Sequence, residues 1–295
     1  MTPDRVAILD WSAANTPRRG KDSIWMGRED GTTQNLPTRQ AAFDACAALI
    51  DDTLTEGRTL LIGADFPFAY PVGFARALTG RDDPLAIWDW LARHLQDGPD
   101  NRSNRFALGD AINARLPGTG PFWFNAARED LAHLPRKGRT RDGHGFAEHR
   151  LCDGQAKGAQ SPWKLGGAGS VGSQALTGIP MLQRLRAAFP GQIAVWPFEP
   201  LTRPVILAEV FPSLLAAEVA ARMAPGLVKD QVQVRALAQA LAALPSLAPL
   251  LETGPDTGPD TGPDSRIREE GWILGLGHED LLRTALTTVW PLRAG

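Results

Sequence analysis

Two aspartates stand at the ends of two apolar segments and are the first candidates for chemistry. Asp10 closes the segment RVAILD, and Asp65 closes the segment TLLIGAD. Short apolar segments of this kind are typical of buried strands. If the two strands are parallel neighbours, the aspartates lie at the sheet edge where open α/β sheets bind ligands. A carboxylate there must be paired, hydrogen-bonded or bound to a metal, because burying an isolated charge is costly.

A pair of converging carboxylates predicts a bound divalent cation. Two such groups repel each other, and the repulsion raises the pKa of one of them unless a cation lies between them. Mg²⁺ prefers oxygen ligands and keeps several waters. We therefore expect Mg²⁺ or Mn²⁺ at Asp10 and Asp65, where it can orient a water and stabilise phosphoryl charge. The alternative is that both residues are structural acids.

A metal site of this type usually needs a third carboxylate, and the sequence offers four. Glu209, in AEVFPS, is the first candidate, so we expect Asp10, Asp65 and Glu209 to bind the metal. Glu269 and Glu270, in IREEGWILG, follow, with Glu270 as a further catalytic acid. Asp280 is the last candidate. For each of these residues, a surface or capping role is the alternative.

The segment GAGSVG at residues 167–172 spells G-x-G-x-x-G, but a dinucleotide fingerprint needs a preceding strand and a later acid. Neither is present, so a Rossmann site is excluded. The segment does precede a predicted helix at residues 173–189, so its backbone N–H groups are candidates for holding a phosphate, with a plain loop as the alternative. The expected substrate-binding side chains are Ser12, Lys21, Arg150, Lys164, Ser173 and Gln174, of which Lys21, Arg150 and Lys164 would meet phosphate.

The elements that must position these residues begin with strand, strand, strand, helix, strand. Strands are predicted over residues 5–10, 23–27, 32–36 and 59–65, and the Asp30-Gly31 pair predicts a hairpin turn. Thr38 is a plausible N-cap for the helix, whose apolar face includes Cys46. Later strands are predicted over 192–197 and 204–211, and later helices over 213–223, 229–243, 265–274 and 278–289. This order predicts an α/β fold with helices flanking the sheet.

The remaining chain divides into an insertion and a repeat. Residues from about 72 to 190 are expected to form a largely irregular or helical insertion over the active edge, since a long structureless loop is improbable in a compact domain. Thr-Gly-Pro-Asp occurs three times across residues 253–264, which predicts a flexible exposed loop without chemistry. We expect one domain over residues 1–295.

The composition excludes several classes of protein. The chain has 295 residues, 43% hydrophobic and 22% charged, with a formal net charge of −2, so no overall basic signal for nucleic acid exists. Two cysteines make neither a disulfide framework nor a zinc site. No apolar run approaches the length that spans a bilayer, and the N-terminus leads directly into a strand without a signal peptide. We expect a cytoplasmic protein that does not bind membranes; its oligomeric state is left open.

The ordered motifs resemble the family of predicted ribonuclease-H-like nucleases also known as a domain of unknown function, DUF429. The early strand ending in Asp is matched by Asp10, and the later strand ending in Asp before a proline by Asp65. The family's other motifs are matched by Arg150 with Cys152, Ser173 with Gln174, and Glu209 with Val210 and Pro212. The family's late Asp-Ala helix motif is missing, and Glu269-Glu270-Gly271 stands as its possible replacement.

This resemblance implies a ribonuclease-H-like mixed sheet and a metal-dependent nuclease or other phosphodiester hydrolase. The expected substrate is a nucleotide or nucleic acid. One alternative is a nucleotide-binding protein linked to molybdopterin guanine dinucleotide synthesis, although the Gly-rich loop of guanylyltransferases is absent after Leu9. Another is a non-catalytic module of the same fold, in which Asp10 and Asp65 lie too far apart to share a cation.

Overall fold

One mixed sheet of six strands, with helices packed on both faces, forms the centre of the protein. The computed structural model describes residues 2–252 and 265–292, so the repeat at 253–264 lies outside the described residues. The order across the sheet is β3-β2-β1-β4-β6-β5. The predicted α/β class is confirmed. The strands are β1 (Arg5–Asp10), β2 (Ile24–Arg28), β3 (Thr33–Leu36), β4 (Leu60–Ala64), β5 (Ile193–Val195) and β6 (Val205–Glu209).

Strand direction brings three carboxyl ends to one edge of the sheet. Strands β1, β2 and β3 form antiparallel pairs, and β4 pairs parallel with β1. Strands β5 and β6 continue the sheet in the parallel direction. Leu9 is in register with Ala64, and Ala64 with Glu209. The residues that end β1, β4 and β6 therefore lie side by side.

Helices occupy the connections between strands and the C-terminal part of the chain. The first of them begins as the sequence predicts, because the Thr38 side chain accepts a hydrogen bond from the Ala41 N–H and caps it. The helices are α1 (Arg39–Thr55), α2 (Phe74–Thr79), α3 (Pro84–His94), α4 (Arg105–Asn113), α5 (Leu151–Gln155), α6 (Val171–Ala188), α7 (Ala216–Ala221), α8 (Lys229–Ala242), α9 (Ala248–Leu251), α10 (Ser265–Glu270) and α11 (Glu279–Val289).

Two predicted helices are shorter than the apolar spacing indicates. The helix predicted over 265–274 ends at Glu270, because Gly271 adopts a φ of 78°, which only glycine enters at low cost. The helix predicted over 213–223 divides into the 3₁₀ turn Pro212–Leu215 and α7. None of the helices in the described ranges is both long enough and apolar enough to cross a bilayer.

Alternate residues of the central strands belong to two separate hydrophobic cores, one on each face of the sheet. Ala7, Leu9 and Ile62 belong to one hydrophobic cluster, which also contains buried residues of α1, α3 and α6. Val6 and Ile8 belong to a second cluster on the opposite face, with buried residues of α8 and α11. The period of two in side-chain direction explains this division. The structure is thus a three-layer α/β/α arrangement.

A glycine in β2 sets the position of α8. A side chain added at Gly27 would place its Cβ atom 2.5 Å from the backbone carbonyl carbon of Val234. The helix therefore lies directly against the strand, which is possible only without a side chain there. This close packing holds the first turn of α8, with Lys229 and Asp230, near the end of β1.

The region from about 72 to 190 combines helices α2 to α6 with a long irregular stretch between α4 and α5. Isolated bridges hold that stretch together, such as Thr119 with Asp142. Buried aromatic rings support it, and the rings of Tyr70 and Trp163 stack with centroids 4.9 Å apart. Parts of this region, including Leu165 and Ser173, line the pocket beside the sheet edge.

Candidate functional site

Asp10 and Asp65 meet at the carboxyl end of the sheet. The Asp65 N–H donates a hydrogen bond to the Leu9 carbonyl oxygen at 3.2 Å, which continues the β1–β4 pairing. The Asp65 carboxylate accepts a hydrogen bond from the Trp11 N–H at 2.6 Å. The two carboxyl groups lie close enough that each shifts the pKa of the other. The side chains therefore converge on one point, as the two strand ends predict.

The shared position changes how both acids titrate. Burial raises the pKa of Asp10 to about 7, and the hydrogen bond with Asp65 opposes that rise. Burial, followed by the charge of Asp10, raises the pKa of Asp65 well above its usual range. Two acids that interact this strongly titrate as a pair.

No cation in the described residues neutralises this pair by direct contact. No described arginine or lysine forms an ion pair with Asp10 or Asp65, although the charge of Lys229 lowers the pKa of Asp10. Additional negative charge comes from the first turn of α8, where Asp230 raises the pKa of both acids. Asp230 itself accepts a hydrogen bond from the Asp22 N–H at 2.8 Å.

Asp230 is a site residue that the sequence analysis missed. An acid in the first turn of a helix is commonly a stabilising partner of the helix dipole, so its position alone carries no catalytic signal. Only the packing of α8 against β1 and β2 brings it to the pocket. The carboxylates of Asp10, Asp65 and Asp230 do not all lie within 4.8 Å of one another, and Asp230 acts on the other two through its charge.

The acid pair lies in a pocket of about 660 Å³. Its walls come from the loop after β1, the segment after β6, the first turns of α6 and α8, and the glycine-rich loop before α6. A pocket of this volume fits a small molecule of nucleotide size. Seven residues predicted from the sequence line it: Asp10, Ser12, Asp65, Arg150, Ser173, Gln174 and Glu209.

Glu209 reaches the pocket, but its carboxylate is bound by an arginine. Arg150 donates to both Glu209 oxygens, at 2.6 and 2.7 Å, and the Phe68 N–H donates a third hydrogen bond at 2.9 Å. The same guanidinium donates two hydrogen bonds to Asp153, at 3.0 and 2.8 Å, and the Arg150 backbone N–H donates a third at 3.0 Å. The structure therefore places Glu209, the predicted metal ligand, against Arg150, the predicted phosphate ligand, and does not bring Glu209 together with Asp10 and Asp65 in one group of possible metal ligands. These two side chains neutralise each other inside the protein.

The neighbourhood of Arg150 also contains a group that could hold a metal ion. Cys152, Asp153 and Glu209 place potential ligand atoms within 4.8 Å of one another. The Arg150 guanidinium already supplies positive charge to the two carboxylates. Burial raises the pKa of the Cys152 thiol well above its usual range, so the thiolate that binds metals is disfavoured. The Asp10–Asp65 pair, in contrast, has no arginine or lysine partner among the described residues.

Three further acids have structural partners. Glu270 accepts hydrogen bonds from the Val72 N–H at 3.0 Å and the Leu151 N–H at 2.8 Å, so it joins the insertion to α10. Glu269 accepts from the Gly73 N–H at 2.7 Å. Asp280 is exposed and pairs with Arg283. None of the three lines the pocket, so the structure does not bring Glu270 to the acid pair, and its catalytic role stays a prediction.

Two lysines predicted to meet phosphate do not line the pocket. Lys21 is an exposed loop residue. Lys164 donates a hydrogen bond to the Ala168 carbonyl oxygen at 2.5 Å and lies 5.7 Å from the centre of the Trp123 ring. The glycine-rich loop does lie on the pocket wall, but Lys164 stabilises the outer side of that loop.

The polar residues that do line the pocket stabilise its walls through hydrogen bonds to backbone carbonyl oxygens. Ser12 donates to the Asp22 carbonyl oxygen at 2.9 Å, and Gln174 donates to the Trp11 carbonyl oxygen at 2.5 Å. The second bond ties the first turn of α6 to the residue that follows Asp10. Ser173 donates to the Leu165 carbonyl oxygen at 2.6 Å. These bonds hold the acid pair and the glycine-rich loop in fixed relation.

No family model, curated protein or solved structure matches the chain. What the pocket can do follows from its own chemistry. Two coupled carboxyl groups with oxygen donors only, beside a third acid and no paired cation, are suited to binding a hard divalent cation.

Proposed function

We propose that the protein is a Mg²⁺- or Mn²⁺-dependent phosphodiester hydrolase or phosphoryl-transfer enzyme that acts on a nucleotide or nucleic acid. The observation that carries the proposal is the convergence of Asp10 and Asp65, at the ends of paired strands, on one open pocket, with no arginine or lysine of the described chain paired to either. A buried acid pair without a partner is costly, and a divalent cation removes that cost.

The topology supports a ribonuclease-H-like interpretation of the sheet. Three antiparallel strands are followed by a helix, and β4 then returns parallel to β1 on the other side. The strand order and the carboxylates at the ends of β1 and β4 agree with the resemblance drawn from the sequence. Fold by itself does not carry activity, so the acid pair bears the functional proposal.

The donor set fits the proposed ions. Asp10 and Asp65 would hold Mg²⁺ or Mn²⁺, both of which favour oxygen ligands, and Asp230 would add negative charge nearby. The bound ion would supply positive charge for phosphoryl oxygens and a water of lowered pKa. The Trp11 N–H donates a hydrogen bond to one Asp65 oxygen and so fixes the position of that carboxylate. The pocket volume of about 660 Å³ favours a nucleotide-sized substrate over a duplex.

Titration of the protein with Mn²⁺ at pH 8, followed by calorimetry, tests the metal site. Asp10→Asn preserves shape and removes one charge, and it should abolish measurable binding. Asp280→Asn is the matched control, because Asp280 is an exposed acid outside the pocket, and it should bind Mn²⁺ as the unmodified protein does. Equal Mn²⁺ affinity in folded Asp10→Asn would overturn the assignment.

Hydrolysis of a chromogenic phosphodiester, with and without Mn²⁺, tests the reaction. Turnover that requires both Mn²⁺ and Asp10 supports the proposed enzyme class. Mn²⁺ binding without turnover of phosphodiesters or nucleotides would contradict the proposed enzyme class. The non-catalytic module predicts instead that the two aspartates do not share a cation, so it would be favoured if the protein bound no Mn²⁺.

A further inference from the structure

Arg105 is a buried arginine on the wall of the pocket. It is the first residue of α4, and it is 9% exposed. Its guanidinium donates to Ser173 Oγ at 3.1 Å and to Ser103 Oγ at 3.2 Å, and it contacts the Asn15 amide oxygen. All three partners are neutral. The aromatic ring of Phe106 lies 4.5 Å from the guanidinium carbon.

No carboxylate in the described residues pairs with Arg105. The nearest acid, Asp97, is already bound through both oxygens by Arg39, at 2.5 and 2.7 Å. The charges that act on Arg105 are those of Arg39 and Asp97, and burial is the main cause that lowers its pKa, to about 10. It therefore remains a cation at neutral pH. A buried cation without an anionic partner is destabilising, which indicates that a bound anion neutralises the charge of Arg105.

The surroundings of Arg105 suit an anion. Ser173 belongs to the first turn of α6, where the helix dipole favours negative charge. The N–H groups of Gly172 and Ser173 in this turn donate to the carbonyl oxygens of Lys164 and Ser170. The N-cap residue Ser170 makes no side-chain capping bond, and it lines the same pocket with Val171. The next residue, Gln174, binds the Trp11 carbonyl oxygen, so this subsite and the acid pair are joined through adjacent residues.

We propose that Arg105 and the N-terminal turn of α6 form a phosphate subsite that holds a phosphate group of the substrate within the acid-pair pocket. The assignment of that phosphate to a substrate rests on the proposed function, whereas the anion subsite rests on its own geometry. The guanidinium presents a fork of N–H donors that matches phosphate oxygens. Lys21, Lys164 and Arg150 do not provide this contact, because the first two lie outside the pocket and the third is bound to acids.

Titration with inorganic phosphate, without any metal, tests the subsite by calorimetry. The unmodified protein should bind phosphate saturably. Arg105→Gln should weaken this binding by about tenfold or more, since a charge-assisted hydrogen bond is lost. Arg105→Lys keeps the charge without the fork and should be intermediate. Arg102→Gln is the matched control, because Arg102 is an exposed arginine of the same segment, and it should leave phosphate affinity unchanged.

The outcomes separate this proposal from the metal site. Arg105→Gln should keep its Mn²⁺ affinity, and Asp10→Asn should lose Mn²⁺ while it still binds phosphate. Unchanged phosphate affinity in Arg105→Gln, or no phosphate binding by the unmodified protein, would overturn the subsite and leave the metal site standing. If Arg105→Gln does not fold, a crystal of the unmodified protein soaked in phosphate decides: density at Arg105 supports the proposal, and its absence there refutes it.

Discussion

Two groups of acids lie at the same edge of the sheet, yet they differ in what neutralises them. At the end of β6, Glu209 and Asp153 share the guanidinium of Arg150, and all three are buried. At the ends of β1 and β4, Asp10 and Asp65 lie beside each other without an arginine or lysine partner in the described chain. We call these the paired cluster (Arg150, Asp153, Glu209) and the acid pair (Asp10, Asp65).

The difference shows how the same residue type can serve structure or chemistry. In the paired cluster the guanidinium satisfies the carboxylate oxygens internally, so the cluster joins the insertion to the sheet and has no need of a ligand. In the acid pair the unbalanced charge faces an open pocket. Perturbed acids without an internal partner are candidates for function, whereas fully paired acids are commonly structural.

The largest expected effect comes from breaking the paired cluster. Arg150→Met removes the cation and leaves Glu209 and Asp153 buried without it, so the free energy of unfolding should fall by about 3–5 kcal/mol. Urea denaturation measures this change. Arg141→Met is the control, because its pair with Glu148 is partly exposed and should contribute about 0–1 kcal/mol. Equal losses in the two variants would contradict a structural role for the cluster.

A smaller effect on stability is expected from the acid pair, and it depends on pH. The pKa of Asp10 rises from 3.8 to about 7 on folding, so the metal-free folded state holds an extra proton between these values. Stability should therefore be greatest at low pH in this window and should fall as the pH rises from about 4 to about 7. Mn²⁺ affinity should rise over the same window, because the metal displaces that proton.

Urea midpoints of the metal-free protein at pH 5, 6, 7 and 8 measure this slope. Asp10→Asn should flatten it, and Asp280→Asn should preserve it. Burial also raises the pKa of Glu209, so a part of the slope should remain in every variant that keeps this residue. A slope of the same size in Asp10→Asn would show that the acid pair does not hold the proton.

The smallest expected effect sharpens the comparison between the two possible metal positions. Asp230→Asn removes a charge that acts on the acid pair from α8, so Mn²⁺ affinity should fall by about tenfold, as for residues that support metal ligands. Cys152→Ala instead removes one possible ligand from the group formed by Cys152 with Asp153 and Glu209 of the paired cluster, and it should leave Mn²⁺ affinity unchanged. The reverse result, measured by the same calorimetry, would move the metal to the paired cluster.

The sequence determined the elements that carry the acid pair. Apolar segments ending in Asp10 and Asp65 predicted two strand ends, the Thr38 cap predicted the start of α1, and the alternation of elements predicted the mixed sheet. These features are local, since strand patterns, turns and caps depend on residues close together in the chain. The convergence of the two aspartates followed from them by the geometry of parallel strands.

Only the tertiary structure decided which charges meet. Arg150 and Glu209 are 59 positions apart, and Arg105 reaches Ser173 across 68 positions. No spacing in the chain signals such pairs, because they depend on how separate layers pack. For the same reason no sequence pattern indicated Asp230 as a site residue, since the packing of α8 against Gly27 brings it to the end of β1. Sequence patterns therefore located the strand ends, and packing decided which acids were left without a cation.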